Sequence, residues 1–176
     1  MPEKGKKAEV DDLFEAAYDE LRRLAASIKR GGVITISPTG LVNQAWVKLS
    51  RSRDLAPGSL AHFKGLAARA MKQVLFDEAE RARAKKRGGD RDVMLVTFDD
   101  AVHRPVTMGG ELLALKGALE ELATAAPRQA EIVERRFFGG MQVAEIAAEM
   151  GVDKSTVERG LRAAKAWLGQ RVRAGI

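Results

Sequence analysis

Apolar residues at positions 13, 14, 17, 21, 24, 25 and 28 recur at helical spacing in VDDLFEAAYDELRRLAASIKR (10–30). This predicts an amphipathic helix, ended by the pair Gly31 and Gly32. SPTGLVNQAWVKLS (37–50) predicts a second helix. Ser37 can cap it, Pro38 suits its first position, and Leu41, Val42, Ala45, Trp46 and Leu49 form one apolar face. The opposite face offers Thr39, Gly40, Asn43, Gln44 and Lys48, and carries no acid. RSRDLAPGS (51–59) reads as a loop. LAHFKGLAARAMKQVLFDEAERARAKKR (60–87) then predicts one long helix, with Phe63, Leu66, Ala67, Ala70, Met71, Val74 and Leu75 as its buried stripe. After Phe76 the stripe gives way to charge, and Gly88 and Gly89 stop the helix.

Residues 89–110 break the pattern. VMLVTF has the composition of a short strand, but no second strand is evident, and a lone strand is not stable. The segment reads as a linker that docks on this protein or on its partner; a floppy connection is the alternative. Helical patterning resumes with ELLALKGALEELATA (111–125). Pro127 suits a helix start, and PRQAEIVERRFFGG ends at Gly139. Two more helices fill 142–150 and 153–172. The expected fold class is all-α: two small helical domains joined by an irregular linker. The expected boundaries are a flexible N-terminus over 1–9, a first domain over 10–88, the linker over 89–110 and a second domain over 111–173.

Composition narrows the function. With 176 residues the chain can hold one domain or two small ones with real cores. The absence of cysteine excludes disulfides and thiolate metal sites. No apolar run approaches membrane-spanning length, and MPEKGKKAEV has no apolar h-region, so a soluble, cytoplasmic protein is expected. The formal net charge of +6 favours a polyanionic partner, although a solvated basic surface would give the same total. Distribution is more telling. From Leu21 to Phe76 the only acid is Asp54, against ten Lys and Arg, and RARAKKRGGDR (81–91) packs six basic residues into eleven. The two histidines, His62 and His103, have no metal-ligand spacing, and no phosphate loop or nucleophile motif occurs. An enzyme is not expected, nor a cofactor or metal.

VAEIAAEMGVDKSTVERGL (143–161) is the most specific local signal. Ala147 is small where two helices cross. Gly151 can take the positive φ of the turn, and Val157 packs back on the first helix. Ile146, Met150, Val152 and Leu161 complete a small core, and Asp153 can cap the second helix. This pattern predicts a DNA-binding helix-turn-helix, with a plain helical hairpin as the alternative. The second helix would bury Val157, Leu161, Ala164 and Leu168. It would offer Lys154, Ser155, Glu158, Arg159, Arg162 and Lys165 to DNA. Arg159 and Arg162 suit guanine edges and Glu158 suits cytosine N4, while Lys165, Arg171 and Arg173 suit phosphates. Gly160 costs about 1 kcal/mol in a helix interior relative to alanine; close approach of another backbone would account for it.

The chain as a whole resembles the extracytoplasmic-function (ECF) sigma factors of bacterial RNA polymerase. The matching words are YDELRRLA (18–25), PTGLVNQAWVKL (38–49), HFKGLAARAMKQVLFDEAERARAKKRGG (62–89), PRQAEIVERRFFGGMQVAEIAAEMGV (127–152) and LRAAKAWL (161–168). The resemblance implies two helical domains, region 2 over 10–88 and region 4 over 111–173. It implies binding to core RNA polymerase, through the β′ clamp helices and the β flap, and to promoter DNA. Region 2 would read the −10 element and region 4 the −35 element. A stand-alone helix-turn-helix regulator would explain 143–161 but leave the first domain idle.

Mapped through that resemblance, the −10 reader comprises the loop 51–61 and the helix beginning near His62, with Arg51, Arg53, Ser59, His62, Lys64 and Lys72 as candidates. A flipped single-stranded base needs a pocket beside cations on the backbone. Phe63 reads as core rather than as a stacking ring. Arg81, Arg83, Lys85, Lys86 and Arg87 would meet duplex phosphates, or form a solvated tail. Thr39, Gly40, Asn43, Gln44 and Lys48 would face core polymerase. Most ECF factors open this helix with an acidic tetrad; here Ser37, Pro38, Thr39 and Gly40 stand in its place, and Gln44 replaces a later glutamate. Phosphorylation would partly restore the missing charge, at Thr39 first and Ser37 second, because the Ser37 hydroxyl is needed as the cap; an ordinary helix start, with core binding carried by other contacts, is the alternative. The resemblance to a subgroup with Pro-Thr here implies a Ser/Thr protein kinase as a partner. No anti-sigma factor is required and no membrane partner is expected.

Overall fold

In the computed structural model, described over residues 2–28, 36–52, 55–85, 96–97, 107–108 and 112–174, the chain is all-α. Helix α1 spans Pro2–Ile28 and buries Val10, Ala17, Leu21 and Ala25. It starts earlier than the apolar pattern does. The segment expected as a flexible lead-in over 1–9 is helical from Pro2, a residue suited to a first helical turn, and is rich in lysine, glutamate and alanine, which favour helix. Helix α2, Pro38–Ser50, begins as its sequence directs: the Ser37 hydroxyl accepts the Gly40 N–H at 2.9 Å. Leu41, Val42 and Ala45 are buried, while Trp46 and Leu49, expected as core, are half-buried at its edge. Trp46 stacks on Phe14 of α1, with ring centroids 4.4 Å apart, which joins the two helices.

Helix α3, Leu60–Lys85, starts where Ser59 Oγ accepts the His62 N–H at 3.0 Å. Its buried residues exceed one stripe. Phe63, Ala67, Ala70, Met71, Val74 and Leu75 are buried as expected, Leu66 is only half-buried, and Lys64, Ala68 and Phe76 are buried as well. A helix apolar over so wide an arc must be covered on two sides. Its packing partners are α1 and α2, and also elements from the far end of the chain.

Helix α4, Leu112–Ala125, buries Leu115, Ala118, Leu119 and Leu122. Helix α5, Pro127–Val133, widens into one π turn over Glu134–Phe138, where the Gly139 N–H reaches the Glu134 carbonyl at 3.2 Å. The wide turn points Glu134, Phe137 and Phe138 inward together. The two glycines after it have different reasons. Gly140 takes φ 65°, whereas at Gly139 a Cβ would lie 2.8 Å from Ala68 Cβ and 3.1 Å from the Lys64 carbonyl of α3.

Helices α6, Val143–Met150, and α7, Lys154–Ala174, follow. Gly151 has φ 62°, and the Val152 N–H closes on the Ala147 carbonyl at 3.0 Å. Val157, Leu161, Ala164, Leu168 and Val172 form the buried stripe of α7. Gly160 is there for a side chain rather than for another backbone: a Cβ would lie 2.9 Å from Ile132 Cδ1.

Between α3 and α4 the sequence pattern shows no partner for VMLVTF. The structure supplies one: β1, Val96–Thr97, pairs antiparallel with β2, Thr107–Met108, in the register Val96–Met108 and Thr97–Thr107. Two residues on each side make no layer, and the fold remains helical.

Candidate nucleic-acid interface

Ile146, Ala147, Val157 and Leu161 are buried between α6 and α7, and this contact sets the angle of the turn at Gly151. Met150 and Val152 are half-buried beside them. The Asp153 carbonyl accepts the Thr156 and Val157 N–H groups at 3.0 and 3.2 Å. Glu145 holds the start of α6, accepting the Gln142 N–H at 2.7 Å.

On the outer side of this pair lies an open cleft of about 620 Å³. Of the residues predicted to face DNA, it gathers Lys154, Glu158, Arg162 and Lys165. A cation that sequence reasoning does not reach, Arg136, joins them. Arg136 sits on the π turn, outside the helix-turn-helix motif. Its guanidinium donates to the Met141 carbonyl at 2.9 Å and braces the loop before α6. Lys165 lies over the Phe137 ring, 5.5 Å from its centroid. The cleft therefore has four cations against one carboxylate, a setting for phosphate oxygens and base edges. Ser155 and Arg159 are exposed but do not line it. Arg159 turns along its own helix, to the Ser155 carbonyl at 3.3 Å and the Thr156 hydroxyl at 3.4 Å. Arg171, expected at phosphates, pairs with Glu121 at 3.4 Å and covers Trp167.

The second candidate cluster is divided. Arg51 and Ser59 are exposed, and His62 is half-buried, with Nδ1 accepting the Gly58 N–H at 3.3 Å. Lys64 and Lys72 are not open to a ligand. Lys64 is 5 % exposed, and its ammonium lies 2.7 Å from Glu20 of α1 and 3.0 Å from Glu145 of α6. Lys72 is half-buried and paired with Glu134, which also accepts from Arg69 at 3.2 Å. Phe63 is fully buried and belongs to the core. Arg53 lies outside the described residues, as do Lys86 and Arg87. Arg81 is exposed and pairs with Glu78 one turn back, while Arg83 and Lys85 belong to the last turn of α3.

Charge states follow from this packing. Burial acts to lower the pKa of Lys64, but its hydrogen bonds to Glu20 and Glu145 outweigh this and raise it. Burial acts to raise the pKa of Glu145, yet the Gln142 N–H and the Lys64 ammonium hold it below the ordinary value. Both groups are charged near neutral pH.

On α2, Thr39, Asn43, Gln44 and Lys48 are exposed and Gly40 is half-buried. The first turn carries no acid. Lys48 reaches Asp77 of α3 at 3.3 Å. Ser37 is occupied by its cap bond, whereas the Thr39 hydroxyl makes no hydrogen bond to any described residue. Among the described residues no group of three or more His, Asp or Glu is placed to hold a metal. No described helix is long and apolar enough to cross a membrane.

Compared with known proteins, residues 2–174 match the model of the ECF sigma factor family. Among curated proteins and among solved structures, nothing matches the chain.

Proposed function

This chain belongs to the ECF sigma factor family, whose members bind core RNA polymerase and promoter DNA to initiate transcription, and we propose how its residues divide that work. Residues 111–173 act as region 4, which binds the β flap and reads the −35 element. Residues 10–88 act as region 2, which binds the β′ clamp helices and reads the −10 element. The observation that carries this reading is the cleft beside α7, where Arg136, Lys154, Arg162 and Lys165 converge on the outer face of a helix-turn-helix. The N-terminal half of α7 enters the major groove. Arg162 is long enough to pair with a guanine edge, and Lys154 and Arg136 neutralise flanking phosphates. A family match over 173 residues disfavours the stand-alone regulator, which would need only the second half of the chain.

In the first half, the α2 face meets the clamp helices and Thr39 is the switch. Three features support this: Thr39 is exposed, its hydroxyl is unengaged among the described residues, and the first turn has no acid. A phosphate there adds about −1.5 to −2 charges at the favourable end of the helix dipole. A Ser/Thr kinase is then the activating partner, and no anti-sigma factor is required.

Promoter-directed transcription with purified core polymerase tests the reading. Phosphorylated protein or Thr39→Glu should transcribe several-fold more than unmodified protein. Equal activity in all three forms removes the switch but keeps the sigma factor. No promoter-directed transcription in any form removes both assignments of region.

A further inference from the structure

Three carboxylates from outside α3 close on three of its cations. Glu20 comes from α1, Glu134 from the π turn and Glu145 from α6; they meet Lys64, Arg69 and Lys72. The pairs Lys64–Glu145 and Arg69–Glu134 join residues 81 and 65 positions apart in the chain. Glu134 is only 7 % exposed, and both of its ion-pair partners, Arg69 and Lys72, come from α3. Apolar contacts run between the ion pairs: Phe76 meets Phe138 edge-on with centroids 6.2 Å apart, and Gly139 lies against Ala68 with no room for a side chain.

The strip of α3 covered in this way includes Lys64 and Lys72, two of the cations assigned to promoter DNA. Resting on that assignment, we propose that the α4–α7 group is an autoinhibitory clasp, in which Glu134 and Glu145 occupy the α3 cations as stand-ins for DNA phosphates. While it is closed, Lys64 and Lys72 cannot reach a nucleic-acid backbone. Phosphates can replace the two carboxylates charge for charge, so single-stranded DNA and the clasp compete for one surface. Opening separates the two helical groups, frees Lys72 and leaves Lys64 with Glu20 of α1 as its one remaining carboxylate among those named.

The test uses the full chain. It has no cysteine, so Gln73→Cys on α3 and Gln170→Cys on α7, both exposed, accept a fluorophore pair that reports the separation of the groups. Glu134→Gln/Glu145→Gln removes the charges; the new glutamine at 145 still accepts the Gln142 N–H, so the start of α6 is retained. The probe is a labelled single-stranded DNA of mixed sequence. The double variant should show a longer separation than wild type and bind the probe about tenfold tighter, because the open fraction rises. A control with the same change in charge, Asp12→Asn/Glu15→Gln on α1, should do neither. Saturating probe should also lengthen the separation in the wild-type protein, a measurement that needs no substitution in the clasp.

An unchanged separation in wild type with saturating probe overturns the clasp. So does equal tightening in the variant and the control. Transcription by wild type with core polymerase is measured in parallel. If it succeeds while the separation stays fixed, the clasp alone is wrong. If it fails while the clasp opens, the promoter assignment is wrong.

Discussion

The ammonium of Lys64 on α3 lies 3.0 Å from the Glu145 carboxylate on α6, and these two residues stand 81 positions apart. The same ammonium is 2.7 Å from Glu20 on α1. One buried cation thus ties the first helix, the third and the start of the helix-turn-helix.

That tie has a pH window. Glu145 has a lowered pKa, so its contribution is present above the ordinary carboxyl value of 4.5 and is lost as pH falls through its folded value. Lys64 has a raised pKa, so its contribution is complete below 10.5 and is lost as pH rises through its folded value. The groups facing this pair are Glu20 from α1 and Arg136 from the π turn. Thermal melts should show a plateau between these limits and a decline on the acid side, and Glu145→Gln should flatten that decline. An acid limb of equal depth in the variant would assign it to other carboxylates.

Gly139 is a site of close approach. Gly139→Ala should destabilise the protein by about 1–3 kcal/mol, because the methyl group meets Ala68 Cβ and the Arg135 carbonyl, both at 2.8 Å. Urea denaturation measures the loss. Adding Ala68→Gly should recover only part of it, since the backbone carbonyl of Arg135 remains in place.

Gly160 has a different neighbour and gives a different result. Its Cβ would meet only the tip of Ile132, at 2.9 Å, and alanine gains about 1 kcal/mol over glycine in a helix. Gly160→Ala alone should be close to neutral. In an Ile132→Val background, where Cδ1 is gone, the same change should raise stability by about 1 kcal/mol relative to Ile132→Val, read from denaturation midpoints.

Promoter binding by the holoenzyme should separate the cations of α7. Arg162→Ala, within the cleft, should cost about 1–3 kcal/mol and relax preference at one base pair. Lys154→Ala should weaken binding to all sequences and reduce the salt dependence by about one phosphate contact. Arg159→Ala, outside the cleft and turned along its own helix, should have the smallest effect of the three. Mobility shifts across a salt series with core polymerase present would rank them.

How legible this was from sequence depends on the range of the interaction. The start of helix α2 and the buried Leu41, Val42 and Ala45 could be read, because a cap, a proline and an apolar face all act within one or two turns, whereas the edge position of Trp46 and Leu49 could not. The turn at Gly151 could be read for the same reason, since Ala147, Gly151 and Val157 each answer a local steric demand. The second buried side of α3 was harder to see: Ala68 and Phe76 add to an apolar arc whose partner is not adjacent in sequence. Arg136 escaped notice because its place in the cleft comes from the π turn, and nothing in VERRFFGG announces the extra residue per turn.

The sequence by itself determined the helices, the helix-turn-helix and the family, since these rest on periodicity, capping and steric needs between residues a few positions apart. Only the tertiary structure decided what the charges do. A lysine pattern such as that of Lys64 and Lys72 looks the same whether its cations face DNA or carboxylates. In this conformation their partners are set by the packing of the Glu134–Phe138 turn and α6 against α3, which brings Glu134 and Glu145 within reach.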